Sequence, residues 1–193
     1  LKLIIVCYLT IFLAMIMCFI LPSKLPYYLS EMNAPSIMSG VFLGVQGVCN
    51  AVTSLSFRRI SAAIERFKLL AIAFIFLGIS LCLLYLPHSY AYIAVSMVFA
   101  GIGMGIISPT VSTTLASQSV AKTSGKIMGG YSTALNLGQF SATLVIIPIM
   151  AVMGTYSGLF LVIGVIALII GIIYGVTSLF LERSNSKKKQ VSA

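Results

Sequence analysis

The chain has 193 residues, 60% of them apolar and only 8% charged, with a mean hydropathy of +1.12. Twelve Lys and Arg stand against three Glu and no Asp, a formal charge of +9. A soluble domain carries about 25% charged residues, so composition excludes a water-soluble globular fold and argues against a nucleic-acid-binding protein.

Charge is absent from residues 3–23, 32–57, 69–121 and 127–181. A spanning helix needs about 20 apolar residues, so the first two stretches hold one span each and the last two hold two each. Span 1 is expected at 3–21, ending at Pro22 ahead of a loop with Pro26, Tyr27, Tyr28, Glu31 and Pro35. Span 2 follows at 37–57 and leads into the basic segment 58–68. Span 3, at 69–86, stops at Pro87 and His88, where the histidine reads as a solvated loop residue rather than a pH sensor. Spans 4, 5 and 6 are expected at 91–116, 127–153 and 158–181, with turns at Lys122–Lys126 and at Gly154–Ser157. The expected fold is an all-α integral membrane bundle of six transmembrane helices over residues 1–182, with a basic tail at 183–193 that carries Lys187, Lys188 and Lys189.

Other classes fall away on pattern. Cys7, Cys18, Cys49 and Cys82 lie in apolar runs with no CxxC pair, which signals neither a zinc site nor a disulfide frame. The first apolar stretch exceeds a signal-peptide core and no small-residue cleavage site follows it. Residues 145–152 are continuously apolar instead of alternating, against a β-barrel. The chain opens on Leu1 instead of Met, which reads as a fragment or an unusual start codon.

Six spans put both termini and the turns after spans 2 and 4 on one side, and that side then holds every basic residue except Lys24. The positive-inside rule makes it cytoplasmic. Tyr27, Tyr28, Tyr85, Tyr90, Tyr92 and Tyr156 gather at the opposite edge, as an aromatic belt would.

Within the spans, small residues recur at helical spacing: Gly40, Gly44, Gly47 and Ala51 in span 2, Gly101, Gly105, Ser108 and Ser112 in span 4, and Gly164, Gly171 and Gly175 in span 6. These predict close helix seams. Two polar stripes also appear. Span 2 carries Gln46, Asn50, Thr53 and Ser54, and span 5 carries Ser132, Asn136, Gln139 and Thr143. Polar groups in hydrocarbon need partners, so the stripes are either interhelical glue or the lining of a substrate pathway. Pro109 and Pro148 each remove a helical hydrogen bond and permit a kink.

Absences narrow the mechanism. Glu31, Glu65 and Glu182 all fall outside the expected spans, so no embedded carboxylate is available for proton coupling on these helices. There is no P-loop, HExxH or GxSxG motif, so neither ATP hydrolysis nor a membrane enzyme is expected, and no cofactor or metal is called for.

With these residues in view, the chain resembles the C-terminal six-helix half of the major facilitator superfamily, closest to the drug:proton antiporter branch. Ser61–Lys68 stands where that superfamily has its signature, roughly G-x-x-x-D-R-x-G-R-R; Arg66 and, conservatively, Glu65 survive, while Ser61 and Lys68 replace the glycines. Gly101, Gly103 and Gly105 followed by Pro109 look like the Gly-rich tenth helix of the efflux branch. Gly125, Lys126, Gly129 and Gly130 look like the turn before its eleventh helix, and Gly138, Gln139, Phe140 and Pro148 resemble that helix itself.

The resemblance implies a cavity lined partly by the first, second, fourth and fifth spans of this half, onto which Gln46, Asn50, Ser132, Asn136, Gln139 and Thr143 fall. It implies alternating access by rocking of two halves, with Arg58, Arg59, Glu65 and Arg66 as an inner-gate loop; plain positive-inside anchoring is the other reading of Arg58 and Arg59. The implied function is secondary efflux of small, largely apolar or cationic compounds across a plasma (bacterial inner) membrane. The implied partners are a small-molecule substrate, the lipid bilayer, and an N-terminal half or a second copy. A metabolite or sugar carrier and a truncated, non-transporting membrane subunit are the alternatives.

Overall fold

The computed structural model describes residues 2–86, 89–120 and 123–191. His88 and Lys122, both assigned to loops from the sequence, fall outside them. The described chain is an all-α membrane bundle: α1 (Lys2–Glu31), α2 (Ile37–Ala63), α3 (Arg66–Leu83), α4 (Tyr90–Ser117), α5 (Ser124–Met153) and α6 (Tyr156–Val191). All six are long and apolar enough to cross a membrane. In hydrocarbon every backbone N–H and C=O must be satisfied within its own segment, and a helix does that.

The helices run past the expected ends in places. α1 continues through Pro22 and Pro26 to Glu31, so the segment read as a loop is helical. Each proline forfeits one hydrogen bond, but both lie on the exposed side, while Leu21, Leu25, Tyr28 and Leu29 form an unbroken buried face. That face holds the helix together. Tyr28 is accordingly a core residue and no member of the aromatic belt: its hydroxyl donates to the Leu84 carbonyl at 3.0 Å, and its ring meets Phe160 edge-on at 5.6 Å. α2 likewise continues through Arg58 and Arg59 to Ala63, and α6 takes in the basic tail as far as Val191. Pro109 and Pro148 sit inside continuous helices.

Two turns show why the chain reverses where it does. After α1, Ala34 N–H donates to Leu29 O at 3.1 Å and Asn33 N–H to Ser30 O at 3.0 Å, with Asn33 left-handed at φ 54°. This is a Schellman closure, and Pro35 directly after it blocks any continuation. After α5, Gly154 adopts φ 65° and donates to Met150 O at 2.9 Å. A side chain there pays the left-handed penalty of about 1–2 kcal/mol, so Gly154→Ala should lower the unfolding free energy by that amount, read by denaturation in detergent.

The core sits on α3 and α4, whose most apolar windows are 50% and 56% buried, against 6% for α2 and 17% for α5. α4 is sandwiched between α2 and α3, α3 packs against α6, and α1 pairs with α5 while touching α4. Glycines set these distances. A Cβ on Gly101 would lie 2.5 Å from Gln46 O, one on Gly103 2.9 Å from Ala73 O, and one on Gly105 2.6 Å from Thr53 Cβ. The α3–α6 seam closes the same way at Gly78, Gly164 and Gly171, whereas Gly175 has only ordinary contact. Buried hydroxyls add interhelical bonds: Ser96 donates to Ser80 O at 2.8 Å, and Thr10 pairs with Tyr174 at 2.5 Å.

The expected seam on α2 does not form within this chain. Nothing lies within 4 Å of a Cβ built on Gly40, Gly44 or Gly47, and Ala51 is exposed. The reason is which face α4 takes: it packs on the polar stripe of α2 and leaves the glycine stripe open.

Candidate functional site

α1 is flanked by α5 on one side and touches α2 and α4 on the other. Midway along it, two sulfur atoms one turn apart each meet a carboxamide from a different helix. Gln46 of α2 donates through Nε2 to Cys18 Sγ at 3.5 Å, and Gln139 of α5 donates through Nε2 to Met15 Sδ at 3.9 Å. The α5 approach depends on Gly138, where a Cβ would fall 2.6 Å from Phe12 O and 2.8 Å from Met15 Cβ. A thiol or thioether is a weak acceptor, and each amide has two N–H groups and a carbonyl. Both glutamines are half-buried and keep most of their hydrogen-bonding capacity for something else.

The other stripe residues separate into two groups. Asn50 stays within its own helix, where Oδ1 lies 3.3 Å from Ser54 Oγ, while Ser54 Oγ also lies 3.3 Å from Gly105 O across the α2–α4 seam, so Ser54 is the stripe residue that ties the two helices. Ser132, Asn136 and Thr143 lie on the open face of α5, and Asn136 Nδ2 meets only its own helix at Ser132 O, 2.8 Å away. Thus of the six residues expected in a cavity, Gln46 and Gln139 converge on α1, Asn50 bonds within α2, and Ser132, Asn136 and Thr143 are exposed on α5.

Polarity-based reading missed Met15, Cys18 and Tyr131. The sulfurs carry no polar signal in an apolar run, and the Tyr131 hydroxyl reaches Ser108 of α4 at 3.1 Å, joining α4 to α5. Tyr8 makes a similar tie, donating to Ile127 O at 2.9 Å while its ring fills the space beside Gly130.

At the basic end, Arg58 and Arg59 are exposed on the last turns of α2. Glu65 stands at the residue before α3 without bonding its N–H groups through its side chain, and accepts a hydrogen bond from the buried Ser178 of α6 at 3.3 Å. Arg66 opens α3 and lines a cavity with the ends of α2 and α4. Pro109 has no N–H for Gly105 O one turn earlier; Ser54 of α2 lies 3.3 Å from that carbonyl, while the carbonyl of Pro109 itself accepts from the Thr113 hydroxyl at 2.6 Å. Pro148 is exposed on α5. Among the described residues no cluster of His, Cys, Asp and Glu could hold a metal.

No curated protein matches the chain. The family model described as Major Facilitator Superfamily matches residues 7–193, which takes in all the spans that form this bundle. Six apolar spans, glycine-set seams and that match over nearly the whole chain lead to one conclusion: the chain belongs to the Major Facilitator Superfamily of membrane transporters.

Proposed function

We propose that this chain works as the C-terminal half of a secondary efflux carrier for small, largely apolar or cationic compounds, with its basic end in the cytoplasm of a bacterial cell. The observation that carries this reading is the pair of carboxamides, Gln46 and Gln139, held against α1 by nothing stronger than sulfur. They offer a substrate hydrogen bonds without a fixed charge. Sugars and phosphates need denser polar or basic contacts than two amides and neighbouring sulfurs supply.

The outward faces of α2 and α5 extend the reading. Val48, Val52, Leu137, Phe140 and Leu144 are exposed there beside Ser132, Asn136 and Thr143. Three polar side chains on a lipid-facing surface would be costly, so this surface is covered by a second six-helix unit, an N-terminal half or another copy. The substrate path then runs between the two units, and access alternates as they rock about it. Glu31 and Glu65 stand at helix ends, away from the glutamine pair. The proton-binding group of an antiport cycle therefore belongs to the other unit.

The test is export from cells that make the complete carrier. Efflux of a cationic dye should slow when other lipophilic cations compete, and should ignore excess sugars or sugar phosphates. Competition by sugars alone would overturn the efflux assignment. In parallel, an antibody to the Lys187–Lys189 tail should detect a polypeptide about twice the 20.6 kDa of this chain in native membranes if the other unit is covalent, or a cross-linked dimer if it is a second copy.

A further inference from the structure

Where α2 gives way to α3, the last turns of α2 and α4 and the first turn of α3 line a half-open cavity of about 260 Å³. Among the described residues its wall carries one cation, Arg66, with hydroxyls from Ser61 of α2 and Thr110, Thr113, Thr114 and Ser117 of α4, and no carboxylate. A second, largely apolar cavity of about 90 Å³ lies between α1, α3 and α4 and shares Arg66, Thr110 and Thr114. Arg66, itself exposed, thus borders both the polar chamber and the apolar one.

This chamber has the chemistry of an oxyanion site. Its volume is several times the roughly 30 Å³ share of one water. A guanidinium fork matches the oxygens of a phosphate, with two parallel N–H donors. Thr113 and Thr114 donate at 2.6 and 2.7 Å to Pro109 O and Thr110 O. Those carbonyls also accept helical N–H groups, so either hydroxyl can turn to an anion without stranding an acceptor. The first N–H groups of α3 add partial positive charge, and no side chain caps them, because the Glu65 carboxylate is held at Ser178. Along the chain, Arg58, Arg59 and Lys68 flank Arg66, against Glu65.

We propose that this cavity binds a phosphate-type oxyanion through Arg66, either the headgroup of an anionic phospholipid or free phosphate. Occupancy would tie the α2–α3 turn to the end of α4. The site is separate from the glutamine pair and stands whether or not the efflux reading holds.

The test uses the whole chain purified in a neutral detergent. Phosphatidylglycerol adducts are counted by native mass spectrometry, and the melting temperature is read with inorganic phosphate against chloride at matched ionic strength. The wild-type chain should retain phosphatidylglycerol about tenfold more tightly than Arg66→Gln, the loss expected for a charge-assisted contact. Lys126→Gln, which removes one exposed charge on the same side, should match wild type. Thr113→Val keeps side-chain size and removes one hydroxyl; it should weaken retention several-fold, and it keeps the test valid if Arg66→Gln fails to fold. Stabilisation by inorganic phosphate without retained lipid would assign the free ion as the ligand. Equal retention and equal stabilisation in wild type, Arg66→Gln and Thr113→Val would overturn the site. So would a loss in Lys126→Gln as large as in Arg66→Gln, since that is the behaviour of a diffuse basic surface.

Discussion

Gly101→Leu should abolish stable folding of the bundle, while Gly44→Leu in the same chain should leave its melting temperature unchanged. Both glycines belong to stripes of the same spacing. A Cβ at Gly101 would stand 2.5 Å from Gln46 O and 2.6 Å from Cys49 Cβ, and the first of these is backbone that no rotamer change can move. Restoring a van der Waals distance means pushing α4 off α2 along their whole contact, beyond the about 1–3 kcal/mol typical of an overpacked core. The Ser54–Gly105 bond in the same seam would go with it. At Gly44 nothing lies within 4 Å. Thermal unfolding in detergent by circular dichroism separates the two variants. The same Gly44→Leu in a complete carrier should impair assembly, because there the open face of α2 meets the second unit; normal assembly would show that the face is turned to lipid.

Gln46→Ala and Gln139→Ala should each change which compounds are exported, with little change in the amount of folded protein. The bonds they lose within the chain go to sulfur at 3.5 and 3.9 Å and contribute little to stability. A substrate hydrogen bond contributes about 1 kcal/mol net, so KM for substrates with a hydrogen-bonding group should rise roughly five-fold per variant. KM for purely apolar substrates should hold. Ser54→Ala should show the opposite pattern, less stability and unchanged preference, since its hydroxyl crosses the α2–α4 seam to Gly105 O. Lost stability with unchanged preference in all three variants would mean that the stripes of α2 and α5 are packing glue and that the cavity lies elsewhere.

Much of the site was legible in one dimension only. The polar stripes of α2 and α5 are visible as i, i+4, i+7 patterns, and both glutamines belong to them. Which members of a stripe meet a neighbour depends on how far each helix is rotated about its axis, and that is set by contacts between residues far apart in the chain. The α2 stripe divides over two turns, with Gln46 reaching α1 while Ser54 reaches α4. The sulfur partners Met15 and Cys18 looked like any other apolar residues of span 1. Tyr28 looked like an interfacial tyrosine because two prolines precede it, yet its buried bond to Leu84 O places it in the core.

The sequence by itself determined the number of spans and the basic end of the bundle. Both follow from local physics: a charge in hydrocarbon is costly wherever its neighbours are, so charge-free length alone sets how often the chain crosses. The tertiary structure alone decided which faces touch. The glycine stripes of α2 and α4 are alike in spacing, but α4 is packed on two sides, and its glycines meet the backbones of α2 and α3 while those of α2 stay open. Close approach needs a matching surface on the partner helix, and that match is a property of two segments at once.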